Sequence, residues 1–311
     1  MSSINTNVSA MVALQSLNKT NAALETTQKR ISTGYRVGSA EDNAAYWSIA
    51  TTMRSDNSAL STVKDALGLG AATIDVAYTA TNSAIDMTKE IKNKLVAARQ
   101  PGVDRAKIQS EITELQNQLQ SIGDSAVFSG QNWLSDDSSA AGYNATKSIV
   151  ASFTRSTAGT ISIGTISIDT SSTLLYDTGA TGVGIIDGLR DATGAIAVAG
   201  TSVAALDISA LTDSAADITI LEAHIARADT AITEMTDSAS LLGASKQRVS
   251  LQRSFVGALM DAVDRGISTL VDADMTEEST KLQALQVQQQ LGIQSLSIAN
   301  QQSQSILTLF R

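Results

Sequence analysis

The stretch ITILEAHIARADTAITEMTDSASLLGASKQRVSLQRSFVGALMDAVDRGISTL, residues 218–270, decides the fold. Its 3,4 spacing runs Ile218, Leu221, Ile225, Ala228, Ile232, Met235, Ala239, Leu242, Lys246, Val249, Arg253, Val256, Met260, Val263, Ile267 and Leu270. Only two members of that series are charged. A stripe at this spacing marks a helix packed along another helix, and here it holds for about seven heptads. At 1.5 Å per residue the helix reaches roughly 80 Å. An amphipathic helix of an ordinary bundle rarely keeps one register so long, so the reading is coiled-coil-like rod packing.

A second register lies upstream: Leu60, Val63, Leu67, Gly70, Ile74, Ala77, Thr81, Ala84, Thr88, Ile91 and Leu95. This five-heptad run predicts a helix of roughly 54 Å. Pro101-Gly102 interrupts it, and the pattern resumes at Ile108, Ile112, Leu115, Leu119 and Ile122. Pro-Gly therefore reads as the turn between two antiparallel helices. Residues 131–215, between the helical halves, are rich in Gly, Ser and Thr. In them SIVASFT (148–154) reads as a strand, and TISIGTISID (160–169) as a short hairpin or a bulged strand.

Composition narrows the chemistry. The chain has 311 residues, no cysteine, one histidine (His224), one proline and 4% aromatic against 43% hydrophobic residues. Without cysteine there are no disulfides, thiolate metal sites or thiol nucleophiles. One histidine leaves little for metal ligation or a Ser-His-Asp relay, and His224, flanking the long stripe, reads as structural. No phosphate-binding loop, dinucleotide fingerprint or nucleophile elbow occurs, and the G-x-G within 182–188 lies in an acidic, flexible context. No catalytic residue, cofactor site or metal site is assigned. Asp272, Asp274, Glu277 and Glu278 lack the glycine and alternation of a calcium loop and read as helix capping. Ser39 with Asp42, and Asp274 with Glu277, read as capping boxes.

The net charge of −9 is uneven: +2 over 1–100, −2 over 101–130, −6 over 131–220 and −3 over 221–311. With no basic stripe, nucleic acid is not an expected partner. No transmembrane span is evident, and the N-terminus lacks the charged and apolar regions of a cleavable signal. The chain is thus expected to be cytoplasmic or to leave by a route that cleaves no signal.

The two ends carry weaker stripes. One is Leu14, Leu17, Asn21, Leu24, Gln28 and Ile31; the other is Leu282, Leu285, Gln289, Gly292, Leu296, Ala299, Ser303, Ile306 and Phe310. Fixing ~40 residues at ~1–1.5 kcal/mol each costs roughly 40–60 kcal/mol, which one sparse stripe does not offset. The expectation is that both ends are disordered in a lone subunit and fold against neighbouring copies.

The segment ISTGYRVGSAEDNAAYWSIA (31–50) resembles the N-terminal signature of bacterial flagellins. So do INTN (4–7), FSGQNWL (128–134) and the Gln/Asn-rich C-terminal helix ending ILTLFR (306–311). The stretch 42–70 resembles the alphaproteobacterial branch. The resemblance covers about 1–135 and 220–311 and not the insert. It implies a mainly α fold, exported unfolded by the flagellar type III apparatus and polymerised into an extracellular filament. Residues 1–43 and 271–311 would pair as an inner coiled-coil tube, with 44–135 and 216–270 forming the surrounding helical rod layer. The 136–215 region would be a variable, small, mostly-β, solvent-facing insert. The loop 34–43, with Gly34 and Gly38, and the segment 266–274 would cross between layers.

The implied assembly residues on the inner helices are Leu14, Leu17, Leu24, Ile31, Leu282, Leu285, Leu296, Ile306 and Phe310. Implied partners are further copies of the chain, sister flagellins, the filament cap, hook-junction proteins and an export chaperone at the C-terminal helix. Many flagellins carry on the rod helix a patch gripped by an animal innate receptor. Here that stretch is KEIKNKLVAAR (89–99), in which Glu90 stands where receptor-recognised members have Arg, and Asn93 and Lys94 replace Glu and Leu. Weak or absent receptor activation is expected. Alternative roles are a hook–filament junction protein, or a glycan-binding adhesin carried by an insert whose aromatics are few: Trp133, Tyr143, Phe153 and Tyr176.

Overall fold

The computed structural model describes residues 7–157, 159–179, 183–197 and 200–309, with side chains of the last helix described as far as Gln301. Among these residues run five α-helices: α1 (Val8–Thr33), α2 (Ala44–Ala98), α3 (Arg105–Ser125), α4 (Ala215–Val271) and α5 (Met275–Leu309). Between α3 and α4 lie β1 (Val127–Phe128), β2 (Gln131–Asn132), β3 (Ser135–Asp136), β4 (Thr146–Arg155), β5 (Ile161–Asp169) and β6 (Tyr176–Asp177). The chain forms two compact units, Met1–Ser58 with Met260–Arg311, and Ala59–Leu259. No helix among the described residues is long and apolar enough to cross a membrane.

In the larger unit the two long stripes face inward. Leu60, Val63, Leu67, Ile74, Ala77, Ala84, Ile91 and Leu95 of α2 are buried, as are Leu221, Ala228, Met235, Leu242, Val249 and Val256 of α4. Each buried large aliphatic side chain contributes about 1.5–3 kcal/mol of transfer free energy. Ion pairs flank the seam and run in opposite directions along the two chains: Lys246–Asp75 (2.5 Å), Lys92–Asp229 (2.6 Å) and Arg99–Glu222 (2.5 Å). The helices are therefore antiparallel. Exposed pairs add about 0–1 kcal/mol each, so they fix register more than they stabilise. Thr81 and Thr88 are buried at apolar positions and donate their hydroxyls to the carbonyls of Ala77 and Ala84, one turn back (2.9 and 2.8 Å).

Pro101-Gly102 is the turn between α2 and α3, with Gly102 at φ 79°. Asp104 caps α3 by accepting from the Lys107 amide. Ile112 and Leu119 of α3 are buried, and its polar side chains reach the middle region. Gln109 Nε2 donates to Leu206 O (3.1 Å), Gln116 Nε2 to Val203 O (3.0 Å), and Gln109 Oε1 accepts from Ile208 N (3.0 Å). Buried Arg105 donates to Ala98 O and Leu211 O and pairs with Asp213 at 2.7 Å.

Within the middle region β4 and β5 pair antiparallel, with a register shift between Val150 and Ser152 opposite Gly164. TISIGTISID is thus one continuous strand, not a hairpin. The turn lies upstream, where Ser156 N donates to Thr160 O (2.9 Å), and the bulge is on β4. The displaced Ala151 carbonyl accepts from Gln252 Nε2 of α4 at 2.9 Å. Downstream, short loops close on their own aspartates: Asp169, Asp191 and Asp207 accept from the amides of Ser171, Thr193 and Ser209. Such local bonds compete with strand ladders, and among the described residues β6 is the last strand before α4.

The middle region has its own buried residues, including Trp133, Leu134, Leu174, Leu175, Ile186, Val203, Leu206 and Ile208. A fully buried cation ties it to α4. Arg190, 0% exposed, grips Glu234 with both terminal nitrogens (2.5 and 3.2 Å) and donates to Gly194 O and Ile185 O. Arg227 Nε donates to the carbonyls of Arg190 and Asp191, and its Nη1 lies 2.9 Å from His224 Nδ1. A guanidinium only donates, so Nδ1 accepts and the imidazole proton sits on Nε2. Burial, then the Arg227 charge, push the His224 pKa down to about 4.

Two outcomes are expected. Gly70 packs under β4, where an added Cβ would meet Ile149 carbons at 2.6 Å, while Gly68 has open space. Gly70→Ala should cost about 1–3 kcal/mol by overpacking. Gly68→Ala should gain roughly 0.5–1 kcal/mol by helix propensity. Denaturant unfolding measures both. The His224 pKa is lowered on folding, so its neutral form contributes full stability above the unfolded value of 6.5, and this is lost as pH falls toward about 4. The loss is about 3 kcal/mol. His224→Asn keeps an acceptor for Arg227 and should flatten the pH dependence of unfolding in that window.

Candidate assembly site

The smaller unit is built on two crossing links. α1 ends at Gly34, whose φ of 75° lets its amide return to Arg30 O at 2.8 Å. The chain then bridges the other link: Tyr35 pairs with Asp272, the Arg36 and Val37 amides donate to Val271 O, and Ala273 N donates to Gly34 O. Val37, Ala50, Ile267 and Val271 form a small core under this crossing. α4 continues through Val271, so the return link is only 272–274 and not the longer 266–274.

The caps differ in part from the sequence reading. Asp42 Oδ2 accepts from the Gly38 and Ser39 amides (2.9 and 3.0 Å), but it closes a turn ahead of the helix. Asn43 is the residue that caps α2, accepting from Tyr46 N at 3.1 Å. The Gly38 and Ser39 amides hold the Asp42 carboxyl below its usual pKa. Asp274 does cap α5, accepting from the Thr276 and Glu277 amides. Among the described residues no cluster of acidic or histidine side chains has the arrangement of a metal site.

α1 and α5 pair antiparallel. Asn7 Nδ2 donates to Ala299 O (2.9 Å), Gln289 Nε2 donates to Asn21 Oδ1 (2.8 Å), and Arg30 Nη1 meets Glu278 Oε1 (2.8 Å). Between the first two, Leu17 packs on Gly292, where an added Cβ would sit 3.2 Å from Leu17 Cδ1. Leu17, Leu24, Ile31, Leu282 and Leu296 are half-buried and Leu285 is buried, whereas Leu14 is exposed. Ala13, Thr20 and Thr27 complete the α1 face turned to α5, while Asn21 and Gln28 are exposed. Ile306 and Phe310 lie outside the described side chains.

Burial in this pair is thin. Thr27 is the only buried residue of α1. In α5 buried Glu278 and Leu285 stand against exposed Val287, Leu291, Ile293 and Ile298. In α1 Val8, Met11, Val12 and Leu14 are likewise exposed, with Val8 at 66%. Val8, Val12, Leu291 and Ile298 line one groove between the two helices. Of the α1 stripe read from the sequence, Leu17, Leu24 and Ile31 lie on the face turned to α5, while Leu14, Asn21 and Gln28 give way there to Ala13, Thr20 and Thr27, and the outer apolar face was not found. Its signal was a second set of apolar positions one or two residues off the first.

The Arg30–Glu278 pair, its carboxylate buried and its guanidinium half-buried, stands out in so apolar-poor a seam. Burial raises the Glu278 pKa, but hydrogen bonding to Arg30 and the charges of Lys281 and Arg30 outweigh it, and the net shift is downward. Such a pair selects register, because slipping it leaves a charge uncompensated. On α2 of the larger unit Glu90 and Asn93 are exposed, and Lys94 is drawn to Glu111 of α3 at 2.6 Å.

Residues 4–139 match the profile of the bacterial flagellin N-terminal helical region, and 225–310 that of the flagellin C-terminal helical region. Full-length relatives include flagellin C of Rhizobium meliloti (strain 1021), 52% identical over 325 residues and covering 100% of both chains. Flagellin A of the same strain is 46% identical over 396 residues, also with 100% coverage of both. A flagellin of Brucella melitensis biotype 1 is 41% identical over 312 residues, again end to end.

The chain belongs to the bacterial flagellin family. This flagellin is of the alphaproteobacterial kind, a structural subunit of the extracellular filament that drives motility, and it reaches that filament by export. It polymerises with copies of itself. The two family regions bracket 140–224, which neither matches, and α1, α2, α3 and α5 lie within them.

For this flagellin, Glu278→Gln should lower the temperature at which filaments depolymerise at neutral pH. The carboxylate's contribution is present above its ordinary value of 4.5 and is lost as pH falls through its depressed folded pKa. The difference between variant and parent should therefore close in acid, as light scattering against temperature would show.

Proposed function

We propose that the outer apolar face of α1 and α5 is the surface that neighbouring subunits cover, and that the two helices hold their paired shape only inside the filament. The observation that carries this is the single buried residue in 26 residues of α1. Isolated helices gain little from propensity alone and depend on packing of an apolar face. Here most of that face is open until another copy arrives. Leu14, Leu17, Leu24, Ile31, Leu282, Leu285 and Leu296 serve this assembly, together with Ile306 and Phe310. In this reading 1–43 and 271–311 make the inner tube, 44–135 and 216–270 the rod layer, and 136–215 the outer insert.

The role is mechanical, and the protein is not an enzyme. A head-to-tail contact whose rotation does not close yields an open helical polymer. Subunits whose ends order only on contact stay soluble before they reach the growing tip. The same apolar C-terminal face suits an export chaperone, with the cap and hook-junction proteins meeting the subunit at the filament's ends. Glu90, Asn93 and Lys94 replace the residues gripped by the innate receptor, and Lys94 is held by Glu111, so receptor activation is weak or absent.

Deleting residues 292–311 should abolish elongation on filament seeds while leaving the helicity of the α2–α4 unit intact by circular dichroism. Normal filaments from the truncated chain would overturn the coupled-folding reading, as would strong hydrogen-exchange protection of 8–33 and 275–300 in the free monomer. A reporter-cell dose curve equal to that of an enteric flagellin would overturn the receptor reading.

A further inference from the structure

α4 carries two stripes at 3,4 spacing, and only one is used inside the chain. The buried one includes Leu242, Val249 and Val256. The other runs Leu241, Ala244, Arg248, Leu251, Phe255 and Ala258, and every member is exposed, Leu251 at 63% and Phe255 at 60%. The spacing steps 3,4,3,4,3 without a slip, over about 26 Å of helix. One step further toward the N-terminus stands Asp237, which ends the stripe. Sporadic exposed leucines are ordinary, but a second seam at helix-packing spacing is a surface shaped to receive other helices.

The same unit offers a groove that fits it. Between α2 and the end of α3 lie Ala72, Val76, Ala80, Ile122, Ala126 and Phe128. Asp75, Thr79 and Ser125 line it too, but its apolar α2 members are small, so the groove leaves room for large side chains. Two knobs one turn apart, Leu251 and Phe255, match a groove about two turns long. Stripe and groove lie on different helices, so joining them between molecules is a head-to-tail contact that propagates.

Charge selects the occupant. Residues 238–260 contain Lys246, Arg248 and Arg253 and no acidic residue. Residues 65–88 contain Asp65, Asp75 and Asp86 and no basic one, and 108–146 contain Glu111, Glu114, Asp124, Asp136 and Asp137 and no basic one. Lys246 is spent on Asp75 within the chain, and Asp86, Glu111 and Asp136 are paired in-chain with Lys89, Lys94 and Lys147, so the opposed charges that remain are Arg248 and Arg253 beside the stripe and Asp65, Glu114, Asp124 and Asp137 in the stretches that build the groove. Opposed patches of this kind steer association and reject self-matched faces.

We infer that the outer stripe of α4, centred on Leu251 and Phe255, seats in the α2–α3 groove of a second copy of this chain. The inference deepens the filament role and rests on self-polymerisation, with which its test must not be confused. The chain has no cysteine, so thiols can be placed at will. Chains carrying Ala244→Cys or Ala258→Cys on the stripe are copolymerised with chains carrying Ala80→Cys in the groove, then oxidised. The expected result is a disulfide-linked dimer in the mixed filaments that is absent from filaments of any one variant and from mixed monomers. Mixed filaments that give no such dimer for either stripe position overturn the inference.

A second measurement reads the energetics. Leu251→Asp with Phe255→Asp should leave monomer helicity and unfolding unchanged, because both side chains are exposed. Elongation on parent seeds should fall by more than about thirtyfold, the loss from truncating one interface hot spot. Elongation within twofold of the parent overturns the pairing and leaves the filament role standing. Failure of the unsubstituted chain to elongate seeds would instead strike at self-assembly itself.

Discussion

Everything in the larger unit hangs on one antiparallel contact, the apolar seam between α2 and α4. It fixes how far along α4 each residue of α2 lies, and the Asp75, Lys92 and Arg99 ion pairs repeat that register at three heights. With register set, Gly70 comes under Ile149 and Gln252 under the Ala151 carbonyl, so the β4–β5 hairpin has one place to dock. The bulge is part of that docking, since it is the Ala151 carbonyl at the register shift that Gln252 reaches.

The smaller unit is made by the opposite economy of burial. Its link region has a compact core around Val37, Ala50, Ile267 and Val271, yet α1 and α5 bury little beyond Thr27, Glu278 and Leu285. Polar contacts hold the register where apolar ones are sparse. Asn7, Asn21 and Arg30 each meet a partner on α5, and a slip by one turn would strand the Arg30–Glu278 charges. A polymer-forming subunit benefits from this division. Stability concentrated in the larger unit survives without neighbours, while the pair with open apolar faces gains most from being surrounded by them.

The middle region shows how a chain with few aromatics and no disulfide still fixes a loop-rich segment. Arg190 and Arg227 reach carbonyls that lie outside the named strands, and Glu234 neutralises the buried Arg190. Burying a guanidinium is tolerable when its carboxylate partner and several carbonyls surround it. His224 is drawn into the same cluster as a neutral acceptor, which is why a lone histidine beside the stripe is structural.

Much of this was legible from spacing. A 3,4 stripe held over many heptads has one economical use, burial against another helix, so α2, α3, α4 and the Pro101-Gly102 turn follow from periodicity and a breaker. The residues of 31–50 and 128–134 carried the family, and with it the filament. Spacing could not say which of two neighbouring stripes on α1 turns toward α5, because Leu14 and Ala13 are one residue apart and only the docked partner distinguishes them. Nor could it find the Arg190–Glu234 pair or the placement of the β4 bulge, which join residues far apart in the chain. The sequence by itself determined where helices run and that they pack lengthwise, since periodicity is a local property of the backbone. Tertiary structure alone decided which faces are spent inside the molecule and which are left for the next copy, since burial depends on what lies across the gap.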